Sequence, residues 1–490
     1  MGGATQGANM SYLNFIGGDW VPALSGETFE NRNPADQTDL IGLFPNGGME
    51  DVAAAVETVS AAWPAWAAKG PEARADVLYK AADIISSRID AIAAELTREE
   101  GKTLTEARNE TSRIAANFRF YAGEALRLKG ESFPMPEGQI ALTLRQPVGV
   151  VAVITPWNFP LSMAARKIAP ALAAGNGVIF KPSEMTPLMG QRLVEVLLDA
   201  GLPKGLIALI HGRGATVGQA ITSTPGIDAL TFTGSYGVGM QIASALTTDT
   251  RCQLEMGGKN ATVVLEDADL DRAVDIIRRG AFGLTGQACT GTSRVLVART
   301  HYDALVEKLS VAAAGITIGA GTREGVNMGP LATSAQLDKV KAYLGIAKQE
   351  GGRITTGGLP EASADLANGF FIRPTVIAGV PADSRLLRDE IFAPVVAVRA
   401  VDGVDEAIEI ADDTEYGLAI SLVSNDMASI LKIAQKTQHG VVKVNSPTTG
   451  VALNAPFGGF KHSSNQSAKE QGGANVMDFY SRIKSVYLGG

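Results

Sequence analysis

From residue 148 to residue 234 the chain alternates apolar, β-branched runs with helical ones, and this alternation constrains the fold more than any other feature. Residues 148–156, 177–182, 206–212 and 229–234 read as strands. Residues 161–174 and 186–200 read as helices, with a short helix near 217–221. Such alternation predicts a mostly parallel, doubly wound α/β sheet. Ligands of such sheets sit beyond the carboxyl ends of the strands, so chemistry is to be sought there.

A second α/β unit runs from about residue 260 to residue 450. Residues 261–283 read as a strand, a capped turn and a helix, 292–298 as a strand, and the chain is helical again from Asp303. "GGRITTGG" and "FIRPTVIAGV" look like hairpin material. "DEAIEIADD" is helical, and "ISLVSN" and "VVKVN" are strands. Before these units, residues 11–45 read as short strands and turns, and Met49 to Arg127 as helices with apolar residues at three-to-four spacing, as at Val77, Leu78, Ala81, Ile84 and Ile85. Residues 128–147 carry three prolines and read as an extended excursion; the alternating tail 482–488 pairs either with it or with another subunit. A length of 490 residues fits two or three domains.

Charge and composition narrow the function. With 43 Lys and Arg against 51 Asp and Glu, the net charge is −8, so no basic surface for nucleic acid is expected. The two cysteines, Cys252 and Cys289, point to a reducing compartment rather than a disulfide scaffold. The four histidines are scattered without metal-ligand spacing, so no metal is expected. Residues 1–10 lack a secretory pattern, and the apolar runs fall short of the ~18–20 residues that span a bilayer. A cytoplasmic protein without a membrane partner is the expectation.

Candidate chemistry clusters after the predicted strands. Cys289 lies in a small, polar, glycine-flanked loop, "GQACTG", and is either a nucleophile or a packing cysteine. A free thiol has a pKa of about 8.5, so a catalytic one needs a base or a favourable field. Glu255 stands in the apolar run "QLEM" before Gly257 and Gly258, either as a salt-bridge partner of Lys259 or Arg251, or as a buried general base. Asn158, between Trp157 and Phe159, either caps a turn or donates to a developing oxyanion, a contact worth ~3–4 kcal/mol in a transition state. Lys181 and Glu184 in "FKPSE" suit ribose hydroxyls. In "FTGSYGVG" the glycines and Ser235 open a helix whose N-terminus favours a pyrophosphate, or they form a plain structural turn. That segment is neither a Walker A loop nor the GxGxxG fingerprint.

In combination, "PWNFP", "KPSE", "FTGS", "LEMGGKN", "GQACT", "EIFAPV" and "NAPFGGFK" resemble the NAD(P)-dependent aldehyde dehydrogenase superfamily over essentially the whole chain. The resemblance implies a Rossmann-like cofactor domain (1–127 and 148–256), an α/β catalytic domain (257–458) and a small β oligomerisation extension (128–147 and 474–490). It implies Cys289 as nucleophile, Glu255 as the base for the hydrolytic water and Asn158 as the oxyanion donor, helped by the Cys289 backbone N–H. Cofactor contacts are implied at Thr155, Trp157, Lys181, Ser183, Glu184, Gly234, Ser235, Gly257, Glu390 and Phe392. The implied route is a thiohemiacetal, hydride transfer to NAD or NADP, and hydrolysis of the resulting thioester. Glu184 favours NAD, since a 2′-phosphate would meet a carboxylate there. A homodimer or homotetramer is implied too.

The segments 441–459 and 460–473 are similar to the ketoglutarate-semialdehyde (2,5-dioxopentanoate) dehydrogenase branch. Arg166 lies seven residues after Phe159, close to two helical turns, so both line one tunnel if the helix starts at Pro160. A guanidinium there suits the ω-carboxylate of a semialdehyde. Thr448 and Thr449 are further candidates for the pocket. Succinate-semialdehyde dehydrogenases carry a second arginine six residues before the nucleophile, where this chain has Gly283. Four other readings compete: neutral aldehydes as substrates, a CoA-acylating relative with no need of Glu255, a fold relative that has lost catalysis, and a cysteine hydrolase.

Overall fold

The computed structural model describes residues 10–465 and 472–489. Part of the 460–473 segment and most of the first ten residues lie outside that set. Two seven-stranded sheets organise the chain. In the first, the order is Arg251–Glu255, Ala229–Thr233, Val150–Ile154, Gly177–Lys181, Ile207–Leu209, Asn14–Ile16, Asp19–Val21. The first five are parallel, and the hairpin of Asn14–Ile16 with Asp19–Val21 extends the edge antiparallel. The chain starts centrally at Val150–Ile154, winds outward through Gly177–Lys181 and Ile207–Leu209, then returns to the other side at Ala229–Thr233. The winding therefore reverses between Val150–Ile154 and Ala229–Thr233, where a doubly wound sheet opens its ligand crevice.

Strand alternation explains the layers. Val151 and Val153 face a core shared with Leu78, Phe118, Ile168 and Leu172, while Val150, Ala152 and Ile154 face one shared with Val52, Val59 and Ile242. Helices thus cover both faces, and the strands read as continuous apolar runs because both faces are dry.

The second sheet has the order Arg353–Gly358, Arg373–Ala378, Val395–Val401, Thr292–Ala298, Asn260–Val264, Ala419–Val423, Val441–Val444. Only its first pair is antiparallel. The tail Ser481–Leu488 pairs antiparallel with Ile140–Pro147 along its whole length, so the first of the two expected pairings is made within the chain. Among the described residues no helix is long and apolar enough to cross a membrane.

The helix Leu104–Arg127 begins with a reciprocal cap, Thr103 Oγ1 accepting from the Glu106 amide and Glu106 Oε2 from the Thr103 amide. That cap fixes the turn from which Glu106, Glu110 and Arg113, spaced four and three apart, face the site described next.

Candidate active site

Glu255 ends the strand Arg251–Glu255 at the edge of the first sheet, and Cys289 sits in the loop before Thr292–Ala298 of the second. The cysteine loop is held in an unusual path. Leu284 and Thr285 have φ of 53° and 55°, and Gly286 follows at 65°. A Cβ at Gly286 would run into the Ala393 backbone, which is why glycine stands there. Asn260 then pins the loop, its Nδ2 donating to the carbonyls of Cys289 (2.8 Å) and Gly291 (2.9 Å). Gly258 allows this approach, since a Cβ there would stand 2.7 Å from the Cys289 carbonyl oxygen.

Two cavities meet at Cys289. The larger, about 310 Å3, takes in Glu255, Thr290, Phe159 and Arg166. The smaller, about 200 Å3, takes in Trp157, Asn158, Ser235, Gly257, Glu390 and Phe392. Phe159, Met163, Thr233, Met256 and Cys289 border both. The thiol is therefore open to one chamber on each side.

The electrostatics set the resting state of the sulfur. Burial, then the Glu255 and Glu390 carboxylates, push the Cys289 thiol up to about 12, while the Thr290 amide and Arg166 pull the other way. The resting group is a neutral thiol that needs a proton acceptor. Neither alternative salt bridge of Glu255 forms. Arg251 donates to the carbonyls of Asp478, Phe479 and Ser481, and the buried Lys259 Nζ has no hydrogen-bond partner among the described residues. Asn158 is buried and its Nδ2 donates to the Gln287 carbonyl at 2.8 Å, which fixes the amide plane and leaves its second N–H free to donate.

Of the residues expected to contact a cofactor, Trp157, Gly234, Ser235, Gly257, Glu390 and Phe392 line the smaller cavity, whereas Thr155, Lys181, Ser183 and Glu184 do not. Lys181, the last residue of Gly177–Lys181, is buried with Nζ 3.4 Å from Glu184 Oε2. Burial would raise the Glu184 carboxyl, but the Lys181 ammonium and nearby amides outweigh it and hold it below its usual range. Thr155 Oγ1, just after the strand Val150–Ile154, is buried without a hydrogen-bond partner among the described residues, and Ser183 Oγ accepts from the Met185 amide. Ser235, on the wall of the smaller cavity, is the N-cap of Tyr236–Ala245 and makes no side-chain cap bond. Glu390 Oε1 accepts from the Gly258 amide at 2.9 Å and packs so closely on Gly257 that a Cβ there would overlap it. Phe392, at φ 61°, turns its ring edge-on to Trp157 with centroids 5.5 Å apart. Gln336 holds that turn by donating to the carbonyls of Ile391 and Phe392, both at 2.8 Å. Among the described residues no group of His, Cys, Asp or Glu is arranged to hold a metal ion.

Comparison with known proteins decides the family. The profile described as "Aldehyde dehydrogenase family" matches residues 20–486. The chain belongs to the aldehyde dehydrogenase family. It is 42% identical to the alpha-ketoglutaric semialdehyde dehydrogenase of Bacillus subtilis, over 98% of each chain. It is 39% identical to the 2,5-dioxopentanoate dehydrogenase of Saccharolobus solfataricus, over 96% of this chain and 98% of that protein. Its fold superposes on the NAD+ complex of Staphylococcus aureus betaine aldehyde dehydrogenase with a TM-score of 0.94, at 33% identity, covering 98% of this chain and 95% of that one.

In this aldehyde dehydrogenase the larger cavity is lined by the arginines Arg113, Arg166 and Arg279 and by the glutamates Glu106, Glu110 and Glu255. Arg166, on the helix Pro160–Ala173, is 9% exposed, and among the described residues no carboxylate pairs with it. Phe159 is the N-cap of the same helix and borders the cavity with it. Thr449 lies on the wall, whereas Thr448 is fully buried behind it, 2.7 Å from Thr292 Oγ1. Arg113 also lines the cavity and donates to the Val451 carbonyl; its position on the face shared with Glu106 and Glu110 was open to a helical-spacing argument. Asn260 and Gln336 left no sequence signal beyond their motifs or neighbours, because their work is to hold loops distant in sequence.

Proposed function

We propose that this chain oxidises an ω-carboxylated semialdehyde of the 2,5-dioxopentanoate type to the dicarboxylate, with NAD as hydride acceptor. The observation that carries the reading is a single thiol shared by two chambers, one bordered by Arg166, with which no carboxylate pairs among the described residues, the other by Trp157, Ser235, Glu390 and Phe392. The relatives named alpha-ketoglutaric semialdehyde dehydrogenase and 2,5-dioxopentanoate dehydrogenase support it.

On this reading Cys289 gives up its proton to solvent and its sulfur bonds to the aldehyde carbon. The new oxyanion accepts from the free N–H of Asn158 and from the Cys289 amide. Lys181, Glu184, Ser235 and Glu390 would hold NAD, which would supply the hydride acceptor. Trp157, Gly234, Gly257 and Phe392 would complete its wall, with Thr155 and Ser183 as further contacts outside that cavity. Glu255 then takes a proton from water, the hydroxide so formed cleaves the thioester, and the departing sulfur takes up a proton to return to the thiol. One aldehyde, one NAD and one water give a carboxylate, NADH and two protons. Glu255 on the cavity wall favours water over CoA as the acyl acceptor.

Arg166 then binds the distal carboxylate, with Phe159 and Thr449 beside it. Charge-assisted hydrogen bonds contribute ~1.5–3 kcal/mol, so Arg166→Ala should raise KM for 2,5-dioxopentanoate about 10- to 100-fold and spare hexanal. Equal rises for both aldehydes would remove the anion site, and a kcat/KM panel over carboxylated, aliphatic and aromatic aldehydes would show which substrate class replaces it. Glu184→Ser should improve the NADP-to-NAD ratio of kcat/KM by about tenfold, because a carboxylate that accepts from a ribose hydroxyl repels a phosphate. An unchanged ratio would clear Glu184 of that role.

The same reading treats 1–127 with 148–256 as the cofactor domain, 257–458 as the catalytic domain, and 128–147 with 474–490 as an assembly arm. Exposed Ile140, Leu144, Ile483 and Tyr487 on that arm support a homodimer or homotetramer. The two free cysteines are in keeping with the cytoplasm.

A further inference from the structure

Beneath the Asn158 corner lies a buried charge cluster that the reaction as described leaves unused. Lys102 follows the helix Ile89–Glu100, and its ammonium is almost fully buried. Its Nζ donates to Glu110 Oε2 at 2.6 Å and to the main-chain carbonyl of Asn158 at 2.8 Å, with Glu100 Oε2 at 3.8 Å. The same ammonium sits 4.8 Å from the centre of the Phe159 ring. The other oxygen of Glu110 accepts from the amides of Leu161 (3.1 Å) and Ser162 (2.9 Å), the first turn of Pro160–Ala173. One ion pair therefore grips the chain on both sides of the corner: the ammonium at Asn158, the carboxylate at the helix start. Burial alone would lower the Lys102 ammonium, but Glu100 and Glu110 outweigh it and keep it charged.

Asn158 is thus held at two points. Gln287 fixes the plane of its side-chain amide, and Lys102 fixes the main chain that carries it. A buried lysine at this place is costly to desolvate, and plain packing would be served as well by an apolar pair. An ammonium on a carbonyl gives what apolar packing does not, a directional hold on the backbone.

We infer that Lys102, with Glu110, is a positioning residue for the reaction, aiming the Asn158 amide at the oxyanion. The inference rests on Asn158 being the oxyanion donor, and the test separates the two. A donor displaced by about 1 Å loses much of its worth, and up to 10²-fold in rate follows from such errors. Complete loss of an oxyanion donor costs about 10²–10³-fold.

The experiment is rapid mixing of the full-length enzyme and NAD with 2,5-dioxopentanoate, or with propanal should the carboxylated substrate fail. The NADH burst rate is read beside the NAD Kd from fluorescence. Lys102→Met should slow the burst about 10- to 100-fold and leave the NAD Kd within twofold. Asn158→Ala should slow it about 10²–10³-fold, and adding Lys102→Met to Asn158→Ala should cost nothing more, since one group acts through the other. If the uncompensated Glu110 charge prevents Lys102→Met from folding, Lys102→Met with Glu110→Leu removes both charges and should show the same slow burst. A parent-like burst in either Lys102 variant, losses that multiply with Asn158→Ala, or an NAD Kd that rises in step would overturn the inference. A parent-like burst in Asn158→Ala would instead overturn the oxyanion reading itself, and the inference with it.

Discussion

Cys289→Ala should abolish NADH formation, with kcat/KM falling by about 10⁴-fold or more, while NAD binding persists. A nucleophile that forms the covalent intermediate has no substitute in the site. The other cysteine, Cys252, is not among the residues bordering either chamber. Burial pushes its thiol up to about 11, with only Lys167 opposing. Retained activity above about 1% of the parent would move the chemistry off the sulfur at position 289. The small size of the Cys→Ala change makes a folding defect a poor explanation for the loss, and an unchanged NAD Kd would exclude it directly.

Glu255→Gln should separate the two halves of the reaction. The first turnover should release about one NADH per active site at a rate within a few-fold of the parent, and the steady state should then slow about 10²–10³-fold, the usual worth of a general base. The amide keeps the shape of the carboxyl but does not accept a proton. It also removes the carboxylate that acts to raise the Cys289 thiol, so the burst should be no slower at low pH than in the parent. The sign follows from the charge: without that negative neighbour the thiol pKa falls, and more thiolate is present at any pH below it. Full steady-state turnover in Glu255→Gln would remove the base assignment.

Much of this was legible in the sequence, for identifiable reasons. The first sheet could be read because its strands are dry on both faces and so stand out as apolar runs, and because its motifs fall where the winding reverses. Arg166 could be placed beside Phe159 because a helix repeats its face every 3.6 residues. Thr448 and Thr449 could not be told apart, since they lie outside regular structure and no period says which one meets the cavity; only Thr449 does. The pairing of the tail was open because an alternating edge strand serves a neighbour in its own chain or in another copy equally well. Lys102 and Glu110 were hidden in a region whose apolar spacing explained it as a packed layer. Their partner lies about fifty residues downstream, and a contact of that span leaves no mark in local pattern.

The site also divides by what each part needs. Residues that touch reactants stand at strand ends, carried by short motifs. Residues that hold those motifs, such as Asn260, Gln336 and Lys102, reach across from other segments. Precise catalytic geometry depends on such support, and losing it is expected to slow the chemistry while leaving affinity intact.

The most direct measurement is intact-protein and peptide mass spectrometry of Glu255→Gln quenched in acid after one burst with NAD and 2,5-dioxopentanoate. An acyl adduct of the oxidised substrate should be found on the peptide carrying Cys289, in amount matching the NADH released. NADH released in full with that thiol unmodified would contradict covalent catalysis at this residue.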